Sequence, residues 1–275
     1  MKRLGLILAL ALAGCGQSDN NHWLGYAEGD YAYISAPQAG WVVQVAVKRG
    51  DFVSKGQVLF TLDDTSQVAA RDTATAQIAQ AEGQLVQAKA TLDLAQKELV
   101  RQTGLLQSHA TSQQNYDQAK STEETAAAQV AQIIASENQA RASLTNATYQ
   151  LTQRQVISQT AGRVEDVYFR QGEYAPAMTP VIEVLPPENV YVRFFVPESD
   201  LSRLRLNEAV LIDCDGCKPI EAKVAFIASQ EEFTPPVIFS ISSRDKLVFK
   251  AEARLPGGLK LNPGQPVDVR PVGAP

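Results

Sequence analysis

Ala36-Pro37-Gln38-Ala39-Gly40-Trp41-Val42-Val43-Gln44-Val45-Ala46-Val47-Lys48-Arg49-Gly50-Asp51-Phe52-Val53 returns, altered, as Thr160-Ala161-Gly162-Arg163-Val164-Glu165-Asp166-Val167-Tyr168-Phe169-Arg170-Gln171-Gly172-Glu173-Tyr174-Ala175. The two stretches align at one offset of 122 residues: Gly40 with Gly162, Val45 with Val167, Val47 with Phe169, Gly50 with Gly172, Asp51 with Glu173 and Phe52 with Tyr174. In each, valines and aromatics alternate as in strands, and a glycine stands where a tight turn belongs. Val58-Leu59-Phe60-Thr61-Leu62 closes the first copy, and Val181-Ile182-Glu183-Val184-Leu185 closes the second. The pair reads as one small β-domain cut into two halves, residues 36–63 and 157–187.

What separates the halves is helical. From about residue 64 to residue 156 there is no proline. Ile78, Leu85, Leu92, Leu99 and Leu106 recur every seven residues, with Ala81, Ala88 and Ala95 three residues on, as in an a/d seam of alternating large and small side chains. A second arm places Tyr116, Val130, Leu144 and Leu151 in one seven-residue register and Ala119, Ala126, Ile133, Ala140 and Ala147 in its partner. Glu123 and Glu137 fall on that seam; they weaken it locally or face a neighbouring subunit. The break is expected near residues 104–112, with Ser108 or Ser112 capping the second helix. Asp63-Asp64 reads as the start of the first helix, where acidic groups favour the macrodipole. Each arm would extend roughly 65 Å at 1.5 Å per residue.

Residues 1–14 read as a signal peptide. Lys2-Arg3 is a basic start, and the apolar run from Leu4 to Leu12 is too short to span a bilayer. Leu12-Ala13-Gly14-Cys15 matches the bacterial lipoprotein signal, which implies cleavage before Cys15 and acylation of its thiol. Residues 15–35 would be anchor, polar linker and a leading strand. Several acyl chains on one residue hold a protein at a membrane where a single chain would not. Gly16 does not supply the acidic residue that retains many lipoproteins at the inner membrane, so the sequence leaves the membrane open. The net charge of −5 and the absence of a basic stripe argue against a nucleic-acid partner.

Residues 188–275 are β-rich again. Val190-Tyr191-Val192-Arg193-Phe194-Phe195-Val196 alternates, the segment from Pro197 to Leu204 reads as a short helix, and several short strands follow to Pro266-Val267-Asp268-Val269, as in a small barrel. Cys214-Asp215-Gly216-Cys217 sits between two strand-like runs. Asp215-Gly216 signals a type I′ hairpin, and an oxidising compartment permits a disulfide between Cys214 and Cys217. A redox pair would want a helix N-terminus to lower a thiol pKa, and a zinc site would want two more ligands; His22 and His109 lie in other segments.

This arrangement resembles the HlyD-type periplasmic adaptors, also called membrane fusion proteins. The markers are the paired half-motifs of a lipoyl-like domain, Val196-Pro197-Glu198-Ser199-Asp200-Leu201 opening the barrel, and Leu261-Asn262-Pro263-Gly264-Gln265-Pro266-Val267 near its end. Asn207 stands where the family often has glycine, and asparagine also tolerates a left-handed backbone. The resemblance implies an elongated α+β chain: a split lipoyl-like domain interrupted by a long antiparallel coiled-coil hairpin, then a small β-barrel. It implies an adaptor in the periplasm, lipid-anchored with the inner membrane favoured, joining an inner-membrane transporter to a TolC-type outer-membrane channel and self-associating into a trimeric or hexameric ring. Gly25-Tyr26-Ala27-Glu28-Gly29-Asp30-Tyr31 resembles adaptors of ABC-type exporters more than those of proton-driven pumps. Arg101, Leu105 and Ser112 keep the spacing of the family's channel-docking residues, with Gln102 in place of a frequent leucine. Many relatives continue into a further membrane-proximal β-domain after the barrel, which the resemblance leads us to expect as absent or reduced here.

The competing readings are few. A lipoyl or biotinyl carrier needs a modified lysine at the turn that the hairpin has replaced, and no Met-Lys-Met-like triplet occurs, so no cofactor is expected. No nucleophile, base and metal set converges, so no enzyme is expected. A thiol- or metal-handling envelope lipoprotein would depend on Cys214 and Cys217, and a passive tether would need the hairpin's length but not Arg101 or Leu105.

Overall fold

A computed structural model describes residues 22–233, 247–257 and 261–272. The signal peptide and Cys15 lie outside the described residues. In chain order the strands are β1 (Trp23–Gly29), β2 (Ala32–Ser35), β3 (Gly40–Val45), β4 (Phe52–Val53) and β5 (Val58–Leu62). Helices α1 (Thr65–Gln107) and α2 (Gln113–Thr152) follow, then β6 (Gln155–Ile157), β7 (Gly162–Val167), β8 (Tyr174–Ala175) and β9 (Pro180–Leu185). The last strands are β10 (Val190–Pro197), β11 (Ala209–Asp213), β12 (Ile220–Phe233), β13 (Leu247–Arg254) and β14 (Pro266–Pro271). The chain divides into two units: residues 32–184, and residues 1–31 with 185–275.

The sequence repeat becomes a sandwich in which the halves exchange strands. One sheet runs β2-β9-β7-β4 and the other β6-β5-β3-β8, so each takes two strands from each half. β3 maps onto β7, and β4 onto β8, at the 122-residue offset. The core obeys the same offset: Val42 and Val164, Val53 and Ala175, Leu59 and Val181, Phe60 and Ile182, and Leu62 and Val184 are all buried in one cluster. So do the hydrogen bonds. Val42 N–H donates to Glu173 O at 2.9 Å and Val164 N–H to Asp51 O at 2.8 Å; Gly50 N–H donates to Val164 O and Gly172 N–H to Val42 O, both at 2.8 Å. The carboxylates repeat too, Asp51 accepting from Lys48 N–H and Glu173 from Arg170 N–H, each at 2.8 Å. Neither half can close its backbone ladder without the other, which is why a stretch of nearly ninety residues can be inserted between them.

Gly50 and Gly172 sit at φ +88° and +86°, a region costly for any residue with a Cβ. The symmetry lapses at one turn: the partner of Gly56 is Met178, held at φ +62°, and both donate N–H bonds across the halves, to Ser158 O and Ala36 O.

The hairpin seam is made of alanine. Ala74, Ala81, Ala88 and Ala95 of α1 and Ala119, Ala126, Ala140 and Ala147 of α2 are buried, whereas the leucines of the heptads are only half-buried. Small side chains let the backbones close, and the leucines flank the seam rather than fill it. Glu123 and Glu137 stay within the hairpin: Glu123 accepts from Gln96 at 3.5 Å, and Arg141 joins Glu137 at 2.5 Å to Glu82 of the opposite helix at 3.0 Å. Asp64 is the N-cap residue of α1 but makes no side-chain capping bond; the Asp63 carboxylate accepts instead from Thr65 N–H at 3.0 Å and from its hydroxyl at 2.6 Å. Those two bonds hold the Asp63 carboxyl below its usual range.

The second unit is a closed six-stranded barrel, β1-β10-β13-β12-β11-β14. The leading strand expected within residues 15–35 is in fact two strands with different destinations. β1 lies between β10 and β14, with Gly25 opposite Phe194 and Val267, and β2 joins the sandwich. Trp23 stacks on Phe194 at 5.7 Å inside the barrel, and its indole N–H donates to Asp200 at 3.3 Å. The segment Glu198–Arg203 is a 3-10 helix, and Asn207 does take a left-handed φ of +66°. Of the turn residues 215 and 216 only Gly216 has positive φ, and Cys217 N–H bonds Cys214 O, so the turn is type II rather than the expected I′.

Gly50→Ala and Gly172→Ala each force a Cβ into the left-handed region. Each is expected to destabilise the sandwich by the same amount, about 1–2 kcal/mol. Urea unfolding of the two variants, followed by circular dichroism, checks that equality.

Candidate functional site

The free end of the hairpin is where the sequence places its site residues. α1 continues past Gly104 to Gln107, so the break falls later than the glycine suggested, over residues 108–112. His109, at φ +56°, makes the reversal that a glycine would make at less cost. Ser112 is the N-cap of α2, its hydroxyl accepting from Asn115 N–H at 3.3 Å. Arg101 and Leu105 stand one turn apart on the last turns of α1, which puts them on one face. Both are exposed, Leu105 by 37%. The tip therefore presents a guanidinium, an isobutyl group and a capped turn side by side.

A polar network that the sequence did not reveal holds this arrangement. Arg101 pairs with Glu98, and Gln102 donates to the other oxygen of the same carboxylate at 2.9 Å. The Gln102 carbonyl in turn accepts from the Thr111 hydroxyl at 3.0 Å, across the turn, and Asn115 donates to Thr111 at 3.2 Å. Gln102 thus ties α1 to the turn; a leucine there would have no such bond to offer. The only signal in sequence was the i, i+3 spacing of Glu98 and Arg101, common on any exposed helix.

At its other end the hairpin is pinned by Arg154, which is 9% exposed. Its Nη1 donates to Ala39 O at 2.9 Å, and its backbone carbonyl accepts from Leu62 N–H at 2.8 Å. A Cβ on Gly40 would lie 2.8 Å from that Nη1, so the glycine of the half-motif leaves room for this side chain.

Cys214 and Cys217 are joined by a disulfide, Cα to Cα 5.4 Å, between β11 and β12. Among the described residues no group of three or more His, Cys, Asp or Glu side chains is placed to hold a metal ion, and no helix is long and apolar enough to cross a membrane.

The hairpin, residues 70–154, matches the family model described as RND MFP, alpha-helical hairpin domain. A UPF0194 membrane protein of Yersinia pseudotuberculosis is 27% identical over 273 residues, covering 84% of this chain and 83% of that one. The multidrug resistance protein MdtA of Proteus mirabilis is 31% identical over 175 residues, 63% of this chain.

The chain is similar to the membrane fusion proteins, the HlyD-type adaptors.

That family is one of non-enzymatic adaptors. The chain spans 39% of MdtA and 41% of a Haemophilus influenzae relative, less than half of either. In fold it is similar to MacA from Actinobacillus actinomycetemcomitans, with a TM-score of 0.74, 21% identity, and 90% of this chain and 76% of that one covered.

Ser112→Ala removes the cap of α2 and is expected to cost about 1 kcal/mol locally. Amide exchange of residues 113–116 should accelerate while exchange in the middle of the hairpin stays unchanged.

Proposed function

We propose that this chain is the periplasmic adaptor of a tripartite export system, lipid-anchored through Cys15 with the inner membrane favoured, and that its hairpin tip docks on a TolC-type outer-membrane channel. The observation that carries this is the tip: Arg101 and Leu105 share one exposed face beside a turn capped by Ser112. Arginine offers a planar set of donors to the carbonyls or carboxylates of a helical rim, and leucine fills an apolar notch. The Glu98 pair and the Gln102 bond fix the direction of approach before docking, which lowers the ordering cost of binding. Self-association into a ring would set several such tips around one channel mouth.

The inner-membrane partner is proposed to be an ABC-type exporter, on the resemblance of Gly25–Tyr31, with the barrel and β1 as its contact surface. A proton-driven pump is the second reading, and the match of the hairpin to the RND model favours it. The two separate on energy source: vanadate stops export through an ABC transporter, whereas a protonophore stops it through a proton-driven pump.

A photo-reactive residue at Gln102 in intact cells is expected to crosslink to an outer-membrane channel, and a control at Gln87, in the middle of α1, is not. Arg101→Asp should abolish the tip adduct. An adduct that survives Arg101→Asp, or none from a folded chain, would argue for a passive tether. Cys214→Ser with Cys217→Ser should leave export intact and cost roughly 2 kcal/mol of barrel stability, as befits so short a closed loop. Loss of export in that variant, with the barrel folded, would argue for thiol chemistry.

A further inference from the structure

The duplication also builds a groove on the sandwich that docking at the hairpin tip does not use. It is an open-sided cavity of about 430 Å³, and its two walls, one from each half-motif, are images at the 122-residue offset. Its floor is Val45 and Val47 of the first half with their counterparts Val167 and Phe169 of the second. Val47 is buried, and the other three are half-buried against the sandwich core. Its rim carries Lys48 and the counterpart of that residue, Arg170, both exposed. Among the described residues neither of these two side chains has an ion-pair partner. Arg49, next on the rim, is already engaged: its Nη2 donates to Asp166 at 2.7 Å and its Nε to Glu165 O at 3.1 Å. The second wall has Gln171 in that place, an amide without charge. None of the lining residues is acidic, in a chain whose net charge is −5.

We propose that this groove binds a small anion with an apolar body, such as an aryl phosphate or aryl carboxylate, its ring on the valine and phenylalanine floor and its charged group held by Lys48 and Arg170. Three features point to that chemistry. The cavity is of the size that small-molecule sites have, roughly 300–1,000 Å³, and like them it joins an apolar surface to a few polar groups. Two cations without partners, one from each half, call for an anion, to which an ammonium and a guanidinium both make charge-assisted hydrogen bonds. The rim is also ordered before any ligand arrives. Lys48 N–H donates to the Asp51 carboxylate and Arg170 N–H to the Glu173 carboxylate, each at 2.8 Å, and the Asp51 and Glu173 N–H groups donate back to the Lys48 and Arg170 carbonyls, each at 3.1 Å. Matching turns thus fix both cationic positions, which lowers the ordering cost of binding.

The test uses the full chain in phosphatidylcholine nanodiscs and follows 1-naphthyl phosphate by equilibrium dialysis. Saturable binding is expected, with 1-naphthol and inorganic phosphate each held more weakly by roughly tenfold or more, since each lacks one half of what the groove recognises. Lys48→Gln and Arg170→Gln should each weaken binding roughly tenfold, and Lys89→Gln, on an exposed face of α1, should leave it unchanged. All three side chains are exposed, so none of these variants threatens the fold. Binding that survives both rim substitutions, or that neutral 1-naphthol matches, overturns the proposal. So does the absence of binding, and so does loss of the probe from nanodiscs that carry phosphatidylglycerol, which would assign the rim to a membrane headgroup. The groove and the tip are read separately: any of these failures leaves the channel adduct of the Gln102 probe, and with it the adaptor function, standing.

Discussion

The rest of the molecule hangs on hydrogen bonds that cross between the half-motifs. Val42 and Gly172 bond in both directions through the Gly172–Glu173 segment, and Val164 and Gly50 repeat the arrangement. A β-domain built this way depends little on what joins its halves, because each sheet pairs strands of one half with strands of the other. The hairpin uses that freedom. Its two helices start and end on neighbouring strands, with Leu62 bonded to Arg154 and Thr61 opposite Gln155, so both feet stand on one sheet. The arm then needs only enough cohesion to remain paired, and an alanine seam with flanking leucines supplies it without a bulky core.

That division of labour explains where the chemistry lies. The core clusters are apolar, and a polar network stands at each end of the hairpin. Arg154 anchors the root under Gly40, and the chain Glu98, Gln102, Thr111 and Asn115 orders the tip. An adaptor of the proposed kind needs defined shape at its ends, and at these two ends hydrogen bonds supply it.

Much of this was legible in the sequence, and the misses share a cause. The 122-residue repeat, the heptads and the spacing of Arg101, Leu105 and Ser112 are local or periodic signals, and they survive folding. The split of residues 23–35 between two units is not local. Trp23–Gly29 reads as a strand in either setting, and only its pairing with Val190–Phe194 and Pro266–Val269 decides for the barrel. Left-handed residues were missed where the chain spends a non-glycine: His109 at the tip and Met178 opposite Gly56. Gly104 misled in the opposite direction, since a helix tolerates glycine when an exposed turn costs it little. Glu137 looked out of place on the seam because its partner Arg141, one turn on, is held there by a second bond to Glu82 of the opposite helix, which sequence spacing does not show.

The most direct test of this account replaces residues 64–153 by a short Asn-Gly turn between β5 and β6 and measures native-state amide exchange. Strand exchange predicts a folded sandwich, with Val42, Gly50, Val164 and Gly172 amides protected as in the full chain. Loss of that protection would mean that the helices, and not the crossed strands, hold the two halves together.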